Sequence, residues 1–182
     1  MFVTLCVTVL ASLPAHARRN KGGIENADGA YAAVAPVERA RPNPRLTPGA
    51  ADPRVTQANI RETICVRGYT KTVRPPQQFT HDLKVRQIRL YGYADKRLRD
   101  YEEDHLVALE IGGSPDSARN LWPQPRHVLN NWGSLAKDKL ENRLHTLVCH
   151  RKIPLALAQR EMARDWIAAY TRYVGPNAPA GR

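Results

Sequence analysis

Residues 101–124 read YEEDHLVALEIGGSPDSARNLWPQ, and this stretch decides the fold expected for the chain. The apolar run at residues 106–109 has the length and composition of a β-strand. Glycine, serine, proline and aspartate at residues 112–116 are typical of a turn or loop. A second short strand is predicted to begin at Asn120, and a helix is predicted to begin near Ser134. The expected order is therefore strand, loop, strand and helix.

The regions on either side of this stretch have mainly helical patterns. Apolar residues follow an i, i+4, i+7, i+8 spacing in residues 134–148, and a similar stripe runs through residues 154–173. We interpret both stripes as core. Thr56 is predicted to cap a short helix, residues 66–73 to be extended, and residues 80–90 to form a further helix. The predicted fold class is α+β.

The charge of the chain points to a polyanionic partner. Its 182 residues include 28 Lys and Arg against 17 Asp and Glu, which gives a formal net charge of +11. A basic protein of this kind suits nucleic acid, an anionic lipid surface or an acidic polysaccharide. Composition alone does not choose among these three.

The N-terminus resembles an export signal. Residues 2–13 form an apolar run that is followed by a small-x-small cleavage pattern ending at Ala17. The run is shorter than the ~20 residues that a membrane-spanning helix needs, so no stable membrane insertion is expected. Residues 1–17 are therefore predicted to be a signal peptide, and the protein to be secreted or periplasmic. The alternative is a buried segment of the fold.

The remaining chain divides by composition. Residues 18–54 are rich in proline, glycine, alanine and arginine, which predicts a disordered linker. Residues 55–175 carry the periodic segments and are predicted to be the folded domain. Residues 176–182 are predicted to be a short tail.

Cysteine usage supports export. The chain has three cysteines, and cleavage after Ala17 would remove Cys6 and leave Cys65 and Cys149. An even count in an exported protein predicts a disulfide, which would contribute ~4 kcal/mol on the chain-entropy model. Two buried free thiols are the alternative. The sequence contains no C-x-x-C pair, so a zinc site is not expected.

The order Asp-His, apolar run, Gly-Gly-Ser, Asn-Leu, with fifteen residues from His105 to Asn120, resembles the His-Asn-His (HNH, ββα-metal) endonucleases. The chain is most similar to a small exported bacterial subgroup with a DH…LE-GG…NLWPQ signature and a following KDxLE helix. That helix motif is KDKLE at residues 137–141 here, and the similarity covers roughly residues 55–173. The resemblance implies a ββα-metal hairpin-helix core surrounded by additional α-helices. It also implies hydrolysis of phosphodiester bonds.

The resemblance also assigns roles to the residues of the motif. His105 is the implied general base, because a histidine can accept a proton near neutral pH. Its second ring nitrogen needs a partner, for which we expect a main-chain carbonyl of the loop. Asn120 is the implied residue that holds this loop. Asp104 is the implied ligand of one divalent cation, magnesium or alternatively manganese, because hard carboxylate oxygens suit these ions.

Adjacent strand residues point to opposite faces, so Asp104 and His105 can share a site only if the strand is irregular there. We therefore predict a bulge or a twist at the strand end. A second metal ligand is expected on the following helix, and Asp138 is our choice, with a surface charge of the helix as the alternative. The chain has Trp132-Gly133 where the subgroup has Trp-Asn. Other candidate ligands are His127, Asn130, Asn131 and Glu141.

Several further residues flank the motif. Glu110 is predicted to anchor the loop by hydrogen bonds or, as the alternative, to bind the metal through water. Glu102 and Glu103 are interpreted as a solvated acidic edge. Trp122 and Trp132 are interpreted as packing residues rather than as stacking platforms for bases.

Basic residues beside the motif complete the functional prediction. Arg99, Arg119 and Lys137 are predicted to hold the phosphate backbone without reading bases. We expect an exported endonuclease of low sequence specificity that prefers DNA over RNA. A non-catalytic nucleic-acid-binding protein on the same scaffold is the alternative. An envelope protein that binds anionic polymers is a third possibility, but it leaves the motif unexplained.

Overall fold

The computed structural model describes residues 23–25 and 31–179, so the predicted signal peptide lies outside the described residues. Helices and strands are mixed, as the α+β prediction required. The strands are β1 (Gly23–Glu25), β2 (Tyr31–Ala33), β3 (Tyr101–His105) and β4 (Leu121–Pro125). The helices are α1 (Tyr69–Val73), α2 (Gln77–Leu90), α3 (Ser134–Cys149) and α4 (Leu155–Tyr173). β1 pairs with β2, and β3 pairs with β4, both antiparallel.

The two long C-terminal helices follow their predicted apolar stripes. Leu140, Leu144 and Val148 of α3 are fully buried. Met162 and Trp166 of α4 are also buried, with 0% and 1% of their surface exposed. These faces meet each other and form the main core with the residues around the β3–β4 hairpin. Within the described residues, no helix is long and apolar enough to cross a membrane.

The N-terminal half of the domain is less regular than predicted. The predicted helix after Thr56 is instead a series of turns, although Ile60 and Ile64 are buried as its spacing required. Residues 66–73 are not extended: the chain reverses at Gly68, which has φ +87°, and continues into α1. α2 begins at Gln77, directly after Pro76, rather than at the predicted residue 80.

The first strand of the hairpin, β3, lies earlier in the sequence than the apolar run predicted. β3 ends at His105, and the buried residues 106–109 follow it outside the ladder. The pairing is regular from Tyr101 opposite Pro125 to His105 opposite Leu121, so the predicted bulge is absent from this ladder. Leu106 N–H donates to the carbonyl of Asn120 at 2.7 Å just beyond it, and Arg126 N–H donates to Asp100 at the other end.

The alternation of hydrogen-bonded pairs in the β3–β4 ladder explains how β4 can contain two prolines. Even-numbered residues of the hairpin exchange the backbone hydrogen bonds, so residues 123 and 125 occupy positions whose nitrogens point away from β3. A proline there loses no ladder hydrogen bond. The two-stranded sheet therefore tolerates the WPQP sequence of β4.

Residues 34–54 correct the linker prediction. Ala40 and Thr47 are fully buried, and the Trp166 indole N–H donates to the Ala40 carbonyl at 2.8 Å. The Thr47 hydroxyl donates to the Leu121 carbonyl at 3.1 Å and accepts from the Tyr91 hydroxyl at 2.6 Å. The folded domain thus includes residue 34 onward, because buried side-chain to backbone hydrogen bonds fix a segment that has little apolar content of its own.

A disulfide joins Cys65 to Cys149, with 5.6 Å between their Cα atoms. This confirms the predicted pairing. The bond connects the turns before α1 to the C-terminal end of α3, and it spans 84 positions of sequence. The turns around Cys65 are thereby held at the C-terminal end of α3, although the two are distant in sequence.

Candidate active site

His105 ends β3 with its imidazole almost entirely buried, at 4% exposure. Its Nε2 lies 2.8 Å from the carbonyl oxygen of Pro115. Because a carbonyl can only accept, Nε2 carries the proton and Nδ1 keeps its lone pair. Burial lowers the pKa of His105, although the Pro115 carbonyl and Asp104 act in the opposite direction. The ring is therefore neutral near pH 7, with one nitrogen able to accept a proton.

Asn120 fixes the loop that supplies this carbonyl. Its side-chain Oδ1 accepts from the backbone N–H groups of Val107 at 2.9 Å and Ala50 at 3.2 Å. Its Nδ2 donates to the carbonyls of Val107 at 3.0 Å and Ser114 at 2.9 Å. The fully buried amide thus joins the start of the loop, its end and the segment around residue 50.

The glycine pair allows the loop to close this tightly. A Cβ on Gly113 would lie 1.7 Å from the Val107 carbonyl oxygen and 2.9 Å from Asn120 Nδ2. Gly112 has φ +72°, a conformation that L side chains rarely adopt. The Gly-Gly sequence is therefore required by the backbone contacts that Asn120 bridges.

Lys137 was predicted to hold the phosphate backbone, and this prediction is wrong because the residue is fully buried. Its Nζ lies 2.6 Å from Asp104 Oδ2, donates to the His105 carbonyl at 2.6 Å and pairs with Glu141 one turn further along α3. Burial alone lowers the pKa of Lys137, but the two carboxylates outweigh it and raise that pKa above its ordinary value. The lysine is a charged clamp between α3 and the end of β3.

Carboxylates accumulate around Asp104. Asp138 lies on α3 with an exposed side chain. Its pKa is raised to about 6, first by partial desolvation of the carboxyl group among neighbouring protein atoms and then by the charges of Asp104 and Glu102. The Asp104 Oδ2 atom is buried and has an ion pair but no well-aligned hydrogen bond. Neighbouring carboxylates repel one another, and a divalent cation bound between them would remove this repulsion, because such ions prefer hard oxygen ligands. Asp104 and Asp138 are thus the pair that could hold such an ion.

Among the other candidate ligands, Glu141 lies near Asp104, because Lys137 contacts both carboxylates. Asn130 and Asn131 are exposed in a short turn with φ +60° and +63°. His127 is half-buried, and its backbone carbonyl accepts from Ala35 N–H at 2.9 Å. Across residues 34–179, no hydrogen bond or ion pair joins these three side chains to Asp104. Glu141 is engaged by Lys137.

Glu110 does not anchor the loop by hydrogen bonds, because the loop amides bond elsewhere. Gly113 N–H donates to Ala108, and Ser114 N–H donates to Ala50. Glu110 Oε2 is buried without a hydrogen-bond partner among the described residues, and the group lines a 370 Å³ cavity with Tyr69 and His145. Its charge contributes to the raised pKa of Asp138.

Glu103 is also not a solvated residue. Both of its carboxyl oxygens are buried without hydrogen-bond partners in the described part of the chain. Burial raises its pKa to about 8, while Lys84 and Arg86 act in the opposite direction. Glu102, its neighbour, does lie at the surface, where it pairs with Arg126 at 2.9 Å. The alternation of the strand separates the two carboxylates, which a charged sequence run does not reveal.

The tryptophans pack as predicted, and the phosphate-binding role of Arg99 and Arg119 stays a prediction. Trp122 is fully buried, and Trp132 packs edge-on against Trp166 and Tyr170. Arg99 and Arg119 are both exposed near the two ends of the hairpin, where a polyanion could reach them.

Within residues 34–179, one group of three His, Cys, Asp or Glu residues has ligand atoms within 4.8 Å of one another: Cys65, His145 and Cys149. The two sulfurs are bonded to each other, so they offer no thiolate to a metal. The His145 imidazole contacts the Ile64 carbonyl at 2.9 Å. This group could hold a metal only after the disulfide is reduced.

Comparison of the chain with protein-family models, with curated proteins and with solved structures found no match.

Proposed function

We propose that the protein is an exported, metal-dependent endonuclease of the HNH (ββα-metal) type. It would hydrolyse phosphodiester bonds with little sequence specificity and prefer DNA over RNA. The observation that carries this proposal is the buried imidazole of His105, whose Nε2 is committed to a loop carbonyl and whose Nδ1 can accept a proton. A histidine in this state is a general base that works at neutral pH.

In this mechanism each residue of the site has a separate task. His105 Nδ1 removes a proton from the water that attacks phosphorus. Asn120 and Gly113 hold the loop, so that the Pro115 carbonyl keeps the ring in one tautomer and one orientation. Asp104 and Asp138 would hold a divalent cation, magnesium or manganese, which neutralises charge on the phosphate and the leaving oxygen.

The surface around the hairpin supports a nucleic-acid substrate. The formal charge of +11 attracts a polyanion, and Arg99 and Arg119 are exposed residues near the two ends of the hairpin. Such contacts bind the phosphate backbone irrespective of base sequence. The disulfide is consistent with an oxidising compartment outside the cytoplasm.

A non-catalytic nucleic-acid-binding protein is the second candidate, and Lys137 is the observation that favours it. The ammonium group already neutralises part of the charge of Asp104, which reduces the attraction of that carboxylate for a metal ion. In this alternative the basic surface would act alone.

Cleavage of supercoiled plasmid by the purified protein separates the two candidates. We expect cleavage with magnesium or manganese, none with a chelator, and a loss of ~10²-fold to 10⁴-fold in His105→Ala. His81→Ala removes an exposed histidine on α2 and serves as the matched control. Full activity of His105→Ala would disprove the mechanism, and full activity with chelator would disprove the metal. Plasmid binding without cleavage would establish the second candidate.

A further inference from the structure

Three residues that can bind a metal ion meet where the turns before α1 contact the C-terminal end of α3. The ligand atoms of Cys65, His145 and Cys149 all lie within 4.8 Å of one another, and each residue is half-buried. Cys65 and His145 also line the 370 Å³ cavity to which Glu110 belongs. The group therefore borders a space that is large enough for an ion and a water molecule.

The last turns of α3 place two of these ligands on one face of the helix. His145 and Cys149 are four residues apart in a continuous helix, and side chains at i and i+4 are neighbours on a helix surface. This is the spacing at which two residues of one helix bind a single zinc ion in the H-E-x-x-H motif. The third ligand, Cys65, comes from a distant part of the sequence, so the site needs no C-x-x-C pair.

A main-chain carbonyl orients the imidazole of His145. Its Nε2 lies 2.9 Å from the carbonyl oxygen of Ile64. Because a carbonyl can only accept, Nε2 carries the proton and Nδ1 keeps the lone pair that a metal ion needs. Histidines that bind metals usually donate their other ring N–H to a carbonyl or a carboxylate in this way. Ile64 directly precedes Cys65, so one turn both orients the ring and supplies a sulfur.

The two sulfurs can reach a metal ion only when they are not bonded to each other. We propose that the reduced protein binds one zinc ion through Cys65, Cys149 and His145. A dithiol that reduces the disulfide gives two electrons and two protons to the sulfurs and becomes a disulfide itself. Zinc then displaces the two thiol protons, because it binds thiolates. The ion replaces the disulfide as the cross-link between the turns around Cys65 and the end of α3.

The distances and the ligand types suit zinc. Bonds of ~2.3 Å to sulfur and ~2.0 Å to nitrogen place the ligand atoms of a tetrahedral site up to ~3.8 Å apart. The three ligand atoms here are at most 4.8 Å apart, so small side-chain rotations complete the site. Thiolate and imidazole ligands select zinc over the magnesium or manganese that carboxylates select. The site is thus separate from Asp104 and Asp138 and does not rest on the proposed nuclease function.

Cobalt, which replaces zinc in such sites, makes the binding visible. The full chain is reduced with dithiothreitol, freed of it by anaerobic desalting and titrated with cobalt chloride. We expect one equivalent of cobalt to produce the near-ultraviolet charge-transfer band of a cobalt–thiolate bond, and zinc to abolish it. The oxidised protein should give no such band, because oxygen ligands such as Asp104 and Asp138 do not produce it. Absence of the band in the reduced protein, or an equal band in the oxidised protein, would overturn the proposal.

Substitution of His145 tests the third ligand. His145→Gln keeps a donor for the Ile64 carbonyl, so it removes the metal ligand and retains the hydrogen bond. It should weaken cobalt binding by at least ~10-fold, which is the smallest effect of losing even an outer partner of a metal ligand. His150→Gln changes an exposed histidine one residue after Cys149 and should bind cobalt as tightly as the wild type. Equal affinity of His145→Gln and the wild type would overturn the three-ligand site.

Thermal unfolding measures whether the ion acts as a cross-link in the folded protein. Zinc should raise the unfolding midpoint of the reduced wild type, because an ion that binds the folded chain more tightly than the unfolded chain stabilises it. The rise should be larger than in the oxidised protein and should be lost in reduced His145→Gln. An equal rise in reduced wild type and reduced His145→Gln would show that zinc stabilises the chain elsewhere and would contradict the cross-link.

Discussion

Replacing Asn120 by alanine tests whether one amide holds the loop of the candidate active site. The substitution removes four hydrogen bonds, two of which join fully buried groups of Val107. Each buried group left without a partner costs ~1–3 kcal/mol, so the two groups of Val107 together predict a loss of ~2–6 kcal/mol in the free energy of unfolding. Asn120→Asp should be similarly harmful, because it places a carboxylate oxygen against the carbonyls of Val107 and Ser114.

Urea denaturation followed by circular dichroism measures this loss, and plasmid cleavage under folding conditions measures its effect on activity. We expect activity to fall further than the folded fraction, because the Pro115 carbonyl that orients His105 belongs to the released loop. Asn142→Ala is the matched control: its amide donates to the Asp138 carbonyl at 2.8 Å on the exposed side of α3, and its loss should change stability by less than ~0.5 kcal/mol. If Asn120→Ala were as stable as Asn142→Ala, the loop would not depend on this amide.

Three further predictions concern stability. Lys137→Met should lower the free energy of unfolding by ~3–5 kcal/mol in a urea titration, because it leaves two largely buried carboxylates without their partner; a loss below ~1 kcal/mol would contradict the clamp. Reducing the Cys65–Cys149 disulfide should cost ~4 kcal/mol and lower the midpoint of thermal unfolding, whereas an unchanged midpoint would contradict its contribution. Hydrogen bonds from Arg54 lower the pKa of Asp52 in the folded protein. Their contribution to the free energy of unfolding is therefore fully present above the unfolded pKa of ~3.9, and it is lost as the pH falls through the lower folded pKa. Asp52→Asn should therefore lose less stability than the wild type between about pH 6 and about pH 3; an equal loss would count against this linkage.

The helices were the most predictable part of the fold. Apolar positions of residues 134–148 and 154–173 point inward at helical spacing, and α3 and α4 begin and end within one residue of those limits. The hairpin was predicted in the right order but with the first strand misplaced. Residues 106–109 are apolar because they are buried on all sides after the strand, and burial alone does not distinguish a strand from a buried loop.

The candidate site was predictable where its chemistry is local and unpredictable where it depends on tertiary contacts. The expected carbonyl partner of His105 is provided by Pro115, and Asn120 bonds both ends of the loop. The burial of Lys137 could not be read from KDKLE, because a lysine next to an aspartate in a helical sequence is usually an exposed residue of the helix. Its i,i+4 spacing from Glu141 was the one signal available.

The contacts of residues 34–54 also govern when the protein can finish folding. Trp166 bonds to Ala40 across 126 positions of sequence, and Ala50 contributes one of the four bonds of Asn120. A chain made from its N-terminus cannot form the first contact until α4 has left the ribosome, and such long-range contacts slow folding. The core around the hairpin is consequently completed late in synthesis.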